Sequence, residues 1–163
     1  MNINVGNKEY KIEFTFEAAE SESVNKAFDF FTGAYMMKKA DEIKNNTEKQ
    51  RDCMIQGLAD LPKLTIDFFY MGLLENHGVH EDGDGTITCV ADAKRLYKQF
   101  AKENPDDERA YHSGMFEALK KQMEEDGFFK RIGVEKFMTD LEKTISEPPK
   151  VPQDHKKKQS AKV

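Results

Sequence analysis

The residues best suited to chemistry are crowded into one short stretch, Glu81-Asp82-Gly83-Asp84-Gly85-Thr86-Ile87, with His77, His80 and Cys89 close by. Aligned on Gly85 as the loop glycine and Ile87 as the loop's apolar residue, Asp82 and Asp84 take the third and fifth ligand positions of a calcium-binding loop. The first position then falls on His80, and the twelfth, where a bidentate glutamate belongs, falls on Ala91. Calcium needs hard oxygen donors at both ends of such a run. The stretch therefore reads as an acidic, glycine-rich, solvated and flexible turn between helices. His77, His80 and Cys89 with one aspartate would make four zinc ligands, but a structural zinc site wants regular, short ligand spacing, which is missing here. His112 stands alone on a predicted helix and reads as a surface or boundary residue. No nucleophile elbow, phosphate-cradling loop or dinucleotide fingerprint occurs. No carboxylate pair sits in an apolar run of the kind that raises a pKa, and tryptophan is absent. No catalytic, metal or cofactor residues are assigned.

The elements that must position these residues fall into two patterns. Ile3, Val5, Tyr10, Ile12, Phe14 and Phe16 alternate with polar neighbours around Gly6-Asn7-Lys8, which predicts one hairpin over residues 1–16 with a single apolar face. A lone hairpin cannot bury that face by itself, so it must lie on helices. From Glu17 onward the period is helical. Val24, Ala27, Phe28, Phe31, Ala34 and Tyr35 form one face, and Phe30 and Met37 lie off it. A helix is expected from about Thr47 to Leu61, with Pro62 opening the next one. Residues 64–74 are apolar around nearly the whole circumference and suit the centre of a bundle. Thr88 is expected to cap a helix carrying Val90, Ala93, Leu96, Tyr97 and Phe100 inward. Asn104-Pro105-Asp106-Asp107-Glu108 has the composition of a helix start, with Tyr111, Met115, Leu119 and Met123 facing inward and Gly127 closing the helix in a left-handed cap. Val134, Phe137, Met138, Leu141 and Ile145 make a last amphipathic helix. The fold class is α+β, mostly α: an N-terminal β-hairpin on a bundle of five to six helices, forming one domain over 1–146.

Composition narrows the function classes. The chain has 163 residues, 34% of them charged and 38% hydrophobic. Residues 147–163 hold five lysines against two acids and three of the five prolines, which predicts a disordered basic tail. With a total charge of −5, the tail's +3 leaves −8 on residues 1–146. Such an acidic body is unsuited to nucleic acid. No run approaches the roughly 18 apolar residues that would span a bilayer, and no signal peptide is expected at the N-terminus. Cys53 and Cys89, widely spaced, fit free thiols in a reducing cytoplasm.

The order of segments carries a resemblance. The opening Met-Asn-Ile-Asn-Val and Tyr-Lys-Ile-Glu-Phe-Thr-Phe strands come first, then Ile55-Gln56-Gly57-Leu58-Ala59-Asp60-Leu61-Pro62 leading into Asp67-Phe68-Phe69-Tyr70-Met71-Gly72-Leu73-Leu74. Thr86-Ile87-Thr88 and Glu124-Glu125-Asp126-Gly127-Phe128-Phe129-Lys130 follow. Over residues 1–140 the chain resembles the tail assembly chaperones of long-tailed, siphovirus-type bacteriophages of Gram-positive bacteria. The resemblance implies a non-enzymatic protein of the host bacterial cytoplasm. It would bind and solubilise the tape-measure protein, recruit the major tail tube protein, and be absent from the finished virion. It also implies that a frameshifted longer form of the chain can exist. The surface candidates for partner contact are Phe30 and Met37, because Phe and Met outside a core stripe suit adaptable apolar surfaces. The alternatives are a calcium-responsive helical binding module built around residues 81–91 and a small enzyme whose site assembles only in three dimensions.

Overall fold

Strand β1 (Asn2–Val5) pairs antiparallel with β2 (Lys8–Lys11), placing Val5 opposite Lys8 and Ile3 opposite Tyr10. In this computed structural model, which describes residues 1–33 and 47–146, the two-residue link is Gly6-Asn7. Gly6 takes φ +58°, a conformation that costs glycine nothing because it has no Cβ. Ile3 and Val5 are buried while Asn2 and Asn4 face out, and Ile12 and Phe14 continue the buried set beyond β2. The alternation stops there. Phe16, which the period of two assigns to the apolar face, is 64% exposed, because helix α1 (Phe16–Glu20) starts at that residue and changes the period.

The remaining elements are helices: α2 (Val24–Thr32), α3 (Thr47–His77), α4 (Val90–Glu103), a 3-10 turn (Glu108–Ala110), α5 (His112–Glu125), α6 (Phe128–Arg131) and α7 (Val134–Ser146). The architecture is α+β, mostly α, with the hairpin as its sheet among the described residues. No helix among those residues is long and apolar enough to cross a membrane.

Helix α3 is the spine. It touches α1, α2, α4, α5 and β2, and buries Ile66, Phe68, Phe69, Met71 and Leu73. Two helices meeting at Pro62 were the expectation; instead one helix runs through, with Pro62 inside it. Proline removes one rung of the ladder and crowds the preceding turn, at a cost of about 3 kcal/mol. Each fully buried apolar side chain in the next turns contributes roughly 1.5–3 kcal/mol, so the packed half of α3 outweighs the defect.

Two other boundaries differ from expectation. Cys89, not Thr88, is the N-cap of α4, and Asp92 reaches back to the Thr88 amide at 2.9 Å and the Cys89 amide at 3.3 Å. The acidic run after Asn104 does not open α5. Asn104 closes α4, with both its backbone and side-chain N–H donating to the Phe100 carbonyl at 3.0 Å. Asp107 then caps the 3-10 turn by accepting from the Arg109 amide at 2.8 Å. That turn sits on Gly114, where a Cβ would lie 2.1 Å from the Glu108 carbonyl oxygen. Helix α5 therefore starts only at His112, and Tyr111, left in extended backbone as its N-cap, is 66% exposed rather than inward. Met115, Leu119 and Met123 are buried as their spacing predicts, and Gly127 ends the segment at φ +67°.

The hairpin is fastened to the spine at Gly72. A Cβ there would lie 2.5 Å from Ile12 Cγ2 and 2.9 Å from Phe14 Cζ. Between those two side chains the Glu13 amide donates to the Gly72 carbonyl at 2.8 Å. Gly72→Ala gains about 1 kcal/mol of helix propensity yet forces two fully buried side chains aside, an overpacking cost of about 1–3 kcal/mol. We expect net destabilisation in urea or thermal melts, with helicity retained; a more stable variant would contradict the close approach.

Candidate functional site

The loop between α3 and α4 gathers the residues best suited to chemistry, and one of its acids, Asp84, is engaged in holding it. Helix α3 ends at His77, whose carbonyl accepts from the Ile87 amide at 2.8 Å. Asp84 and Gly85 donate their amides back to the Asn76 and Gly78 carbonyls at 3.2 and 3.1 Å. Gly83 lies against Gly78, where a Cβ would meet the Gly78 carbonyl oxygen at 2.2 Å. The loop is thus a folded cap on the end of α3: solvated as expected, with Glu81, Asp82, Asp84 and Thr86 exposed, but tied down by its backbone bonds rather than flexible.

Asp84 is the centre of that cap. Its Oδ2 accepts from Lys8 Nζ at 2.7 Å and from His77 Nδ1 at 2.8 Å. Its Oδ1 accepts from the Thr86 amide at 2.9 Å and from the Thr86 hydroxyl. The His77 ring is oriented from its other side, since the Lys11 amide donates to Nε2 at 3.1 Å. Nε2 is therefore the acceptor and Nδ1 carries the proton given to Asp84. Partial burial pushes the Asp84 carboxyl up, but the donors from Lys8, Thr86 and His77 outweigh it and hold the group well below the usual carboxylate range. Asp82 and Glu81 remain exposed. Both Asp84 oxygens already have donors, so a cation would have to displace Lys8 and His77 to use them.

The other singled-out residues do not converge. Among the described residues, no three His, Cys, Asp or Glu side chains come together as metal ligands would. His80 turns away from His77: its Nε2 donates to the Leu74 carbonyl at 2.8 Å, a bond to the end of α3 that raises its pKa. Cys89 is an exposed free thiol at the start of α4, and the side chain of Cys53 lies outside the described residues. His112 is exposed, its ring 5.2 Å from that of Tyr97. Asp92 is drawn down to about 2 by the hydroxyl and amide of Thr88. Asp107 is lowered by the Arg109 guanidinium, which it grips at 2.7 and 3.0 Å.

Phe30 is half-buried in a cluster of rings contributed by α2, α3, α5 and α6. Its centroid lies 5.3 Å from Phe31, 5.4 Å from Phe116 and 6.4 Å from Phe68, and Phe31 sits 4.7 Å from Phe129. Such pairs contribute about 0.5–1.5 kcal/mol beyond area burial. Phe30 therefore serves stability as Phe31 does, and only its outer part is open to a partner. Met37 lies outside the described residues. The sequence signal for the Asp84 cap was the Asp-Gly-Thr turn pattern; nothing local could announce Lys8, 76 positions away.

Because the Asp84 carboxyl is lowered by folding, its stabilisation is complete above the unfolded value of about 3.9 and fades as pH falls below it. Asp84→Asn should melt below wild type at pH 7, and the gap should narrow from about pH 4 downward; parallel stability curves would contradict the clasp. Millimolar calcium should leave the melting temperature unchanged. A rise of several degrees, abolished by Asp82→Ala with Asp84→Ala, would overturn this. No protein-family model matches this chain, and no curated protein or solved structure does either.

Proposed function

We propose that this chain is a tail assembly chaperone of a long-tailed bacteriophage of Gram-positive bacteria, acting in the host cytoplasm. It binds apolar helical stretches of the tape-measure protein, keeps them soluble, recruits the major tail tube protein, and leaves before the virion is complete. The order of segments described above supports the identity. The observation that carries the mode of action is the first part of α3. Every described residue from 47 to 60 except Gly57 is exposed, Ile55 by 52%, whereas the second part of the same helix is the spine of the core. At about 1.5 Å per residue the stretch from Arg51 to Asp60 spans roughly 15 Å, a length offered to a partner helix. The −8 charge on residues 1–146 keeps such a complex soluble and disfavours nucleic acid as the partner.

Co-expression with the tape-measure protein of the same phage should keep that partner soluble with several copies of this chain bound along it. Ile55→Glu should lower the number of copies bound while leaving the melting temperature of the free chain unchanged. A partner that stays insoluble and unbound at every ratio would refute the assignment. Undiminished binding by Ile55→Glu would refute the role of α3.

A further inference from the structure

A groove of about 240 Å³ opens between α1, α2 and α6, walled by Ala19, Val24, Phe28 and Ile132. Two polar side chains, Asn25 and Arg131, complete the lining. Phe28 is braced from behind by Phe137 of α7, with ring centroids 5.5 Å apart. At the rim the Arg131 guanidinium carbon lies 4.4 Å from the centre of the exposed Phe16 ring. Stacking leaves the guanidinium's N–H donors to be satisfied elsewhere, and among the described residues no carboxylate pairs with it and no group bonds the Asn25 amide. Both side chains are exposed, so in a body with a charge of −8 they present a cation and an amide at the mouth of a groove whose accessible lining is mixed polar and apolar.

The volume discriminates between occupants. Pockets for cofactors and drug-sized ligands run from about 300 to 1,000 Å³; this groove is smaller, and open at its rim, which suits the anchor side chain of a larger partner. An aliphatic group fits the Val24, Phe28 and Ile132 walls, and a carboxylate is the group that takes a guanidinium fork in two parallel bonds. We propose that the groove docks a peptide segment of a partner protein that presents an aliphatic side chain beside a carboxylate. Phe16, left outside the core where α1 begins, then serves as the platform that holds Arg131 over the opening. This inference is separate from the tape-measure reading, since it concerns residues other than 47–60 and its test needs no phage partner.

The test is an amide-resolved NMR titration of the full chain with the acetylated, amidated peptide Ala-Leu-Glu-Leu-Ala, alongside its Glu-to-Gln counterpart. The acidic peptide should bind saturably, with shifts centred on Asn25, Phe28, Arg131 and Ile132. Affinity should fall about tenfold for the Gln peptide and for Arg131→Gln, as loss of a charge-assisted pair implies. Asn25→Trp, which fills the groove from an exposed position, should abolish binding while the melting temperature holds. Equal affinity for the two peptides, full binding by Arg131→Gln, or shifts elsewhere on the surface would overturn the proposal. So would a concentration-dependent dimer that Asn25→Trp disrupts, since the occupant would then be a second copy of this chain.

Discussion

Much of this structure depends on one contact, the crossing of an extended backbone over a helix at Gly72. The chain from Ile12 to Phe14 lies so close to α3 that a single methyl at Gly72 would overlap both flanking side chains. Closeness lets the Glu13 amide bond a helix carbonyl directly, and it fixes what lies on either side. Toward the C-terminus, the Phe14 ring reaches Phe128 at 5.5 Å while its amide donates to Asp126 at 2.8 Å. The corner between α5 and α6 is thereby tied to the hairpin. Toward the N-terminus, the strand is set so that Lys11 meets His77 and Lys8 meets Asp84. A β-hairpin of two four-residue strands has no stability alone; here it is one wall of the core and the clasp of the α3–α4 loop.

Five carboxyls among the described residues serve the same end. The carboxyls of Asp84, Asp92, Asp107, Glu103 and Glu13 are all lowered by the donors bonded to them. A general acid at neutral pH needs the opposite, a carboxyl raised by apolar surroundings. These five are held ionised as acceptors that cap helices, close turns and bind the hairpin to the body. Among the described residues, two surfaces open to another molecule are the exposed part of α3 and the groove beside Arg131.

Periodicity carried most of the fold. The hairpin, the central position of residues 64–74, the stripes of α4 and α5, and the left-handed glycine at 127 were all legible, because each is dictated by neighbours within a few residues. The misreadings share a cause. Pro62 looked like a boundary because its local cost is real, but distant burial along α3 outweighs it. The Asn104–Glu108 run has the right composition for a helix start, yet Gly114 lets the 3-10 turn pack against α5 and delays the helix to His112. The acidic loop looked flexible because its anchors, Lys8 and Lys11, come from the far end of the sequence. Phe30 looked set apart from the core because one helix's stripe was drawn without the rings that α3 and α5 bring to it.

Native-state hydrogen exchange at the Glu13 amide tests the central constraint most directly. If the crossing at Gly72 is integral to the core, that amide exchanges only through global opening, with the same free energy as amides in the buried part of α3. If instead it exchanges as fast as an exposed loop amide such as that of Asp82 while the core of α3 stays protected, the hairpin is a loosely held appendage. In that case Gly72 is not what the rest of the structure depends on.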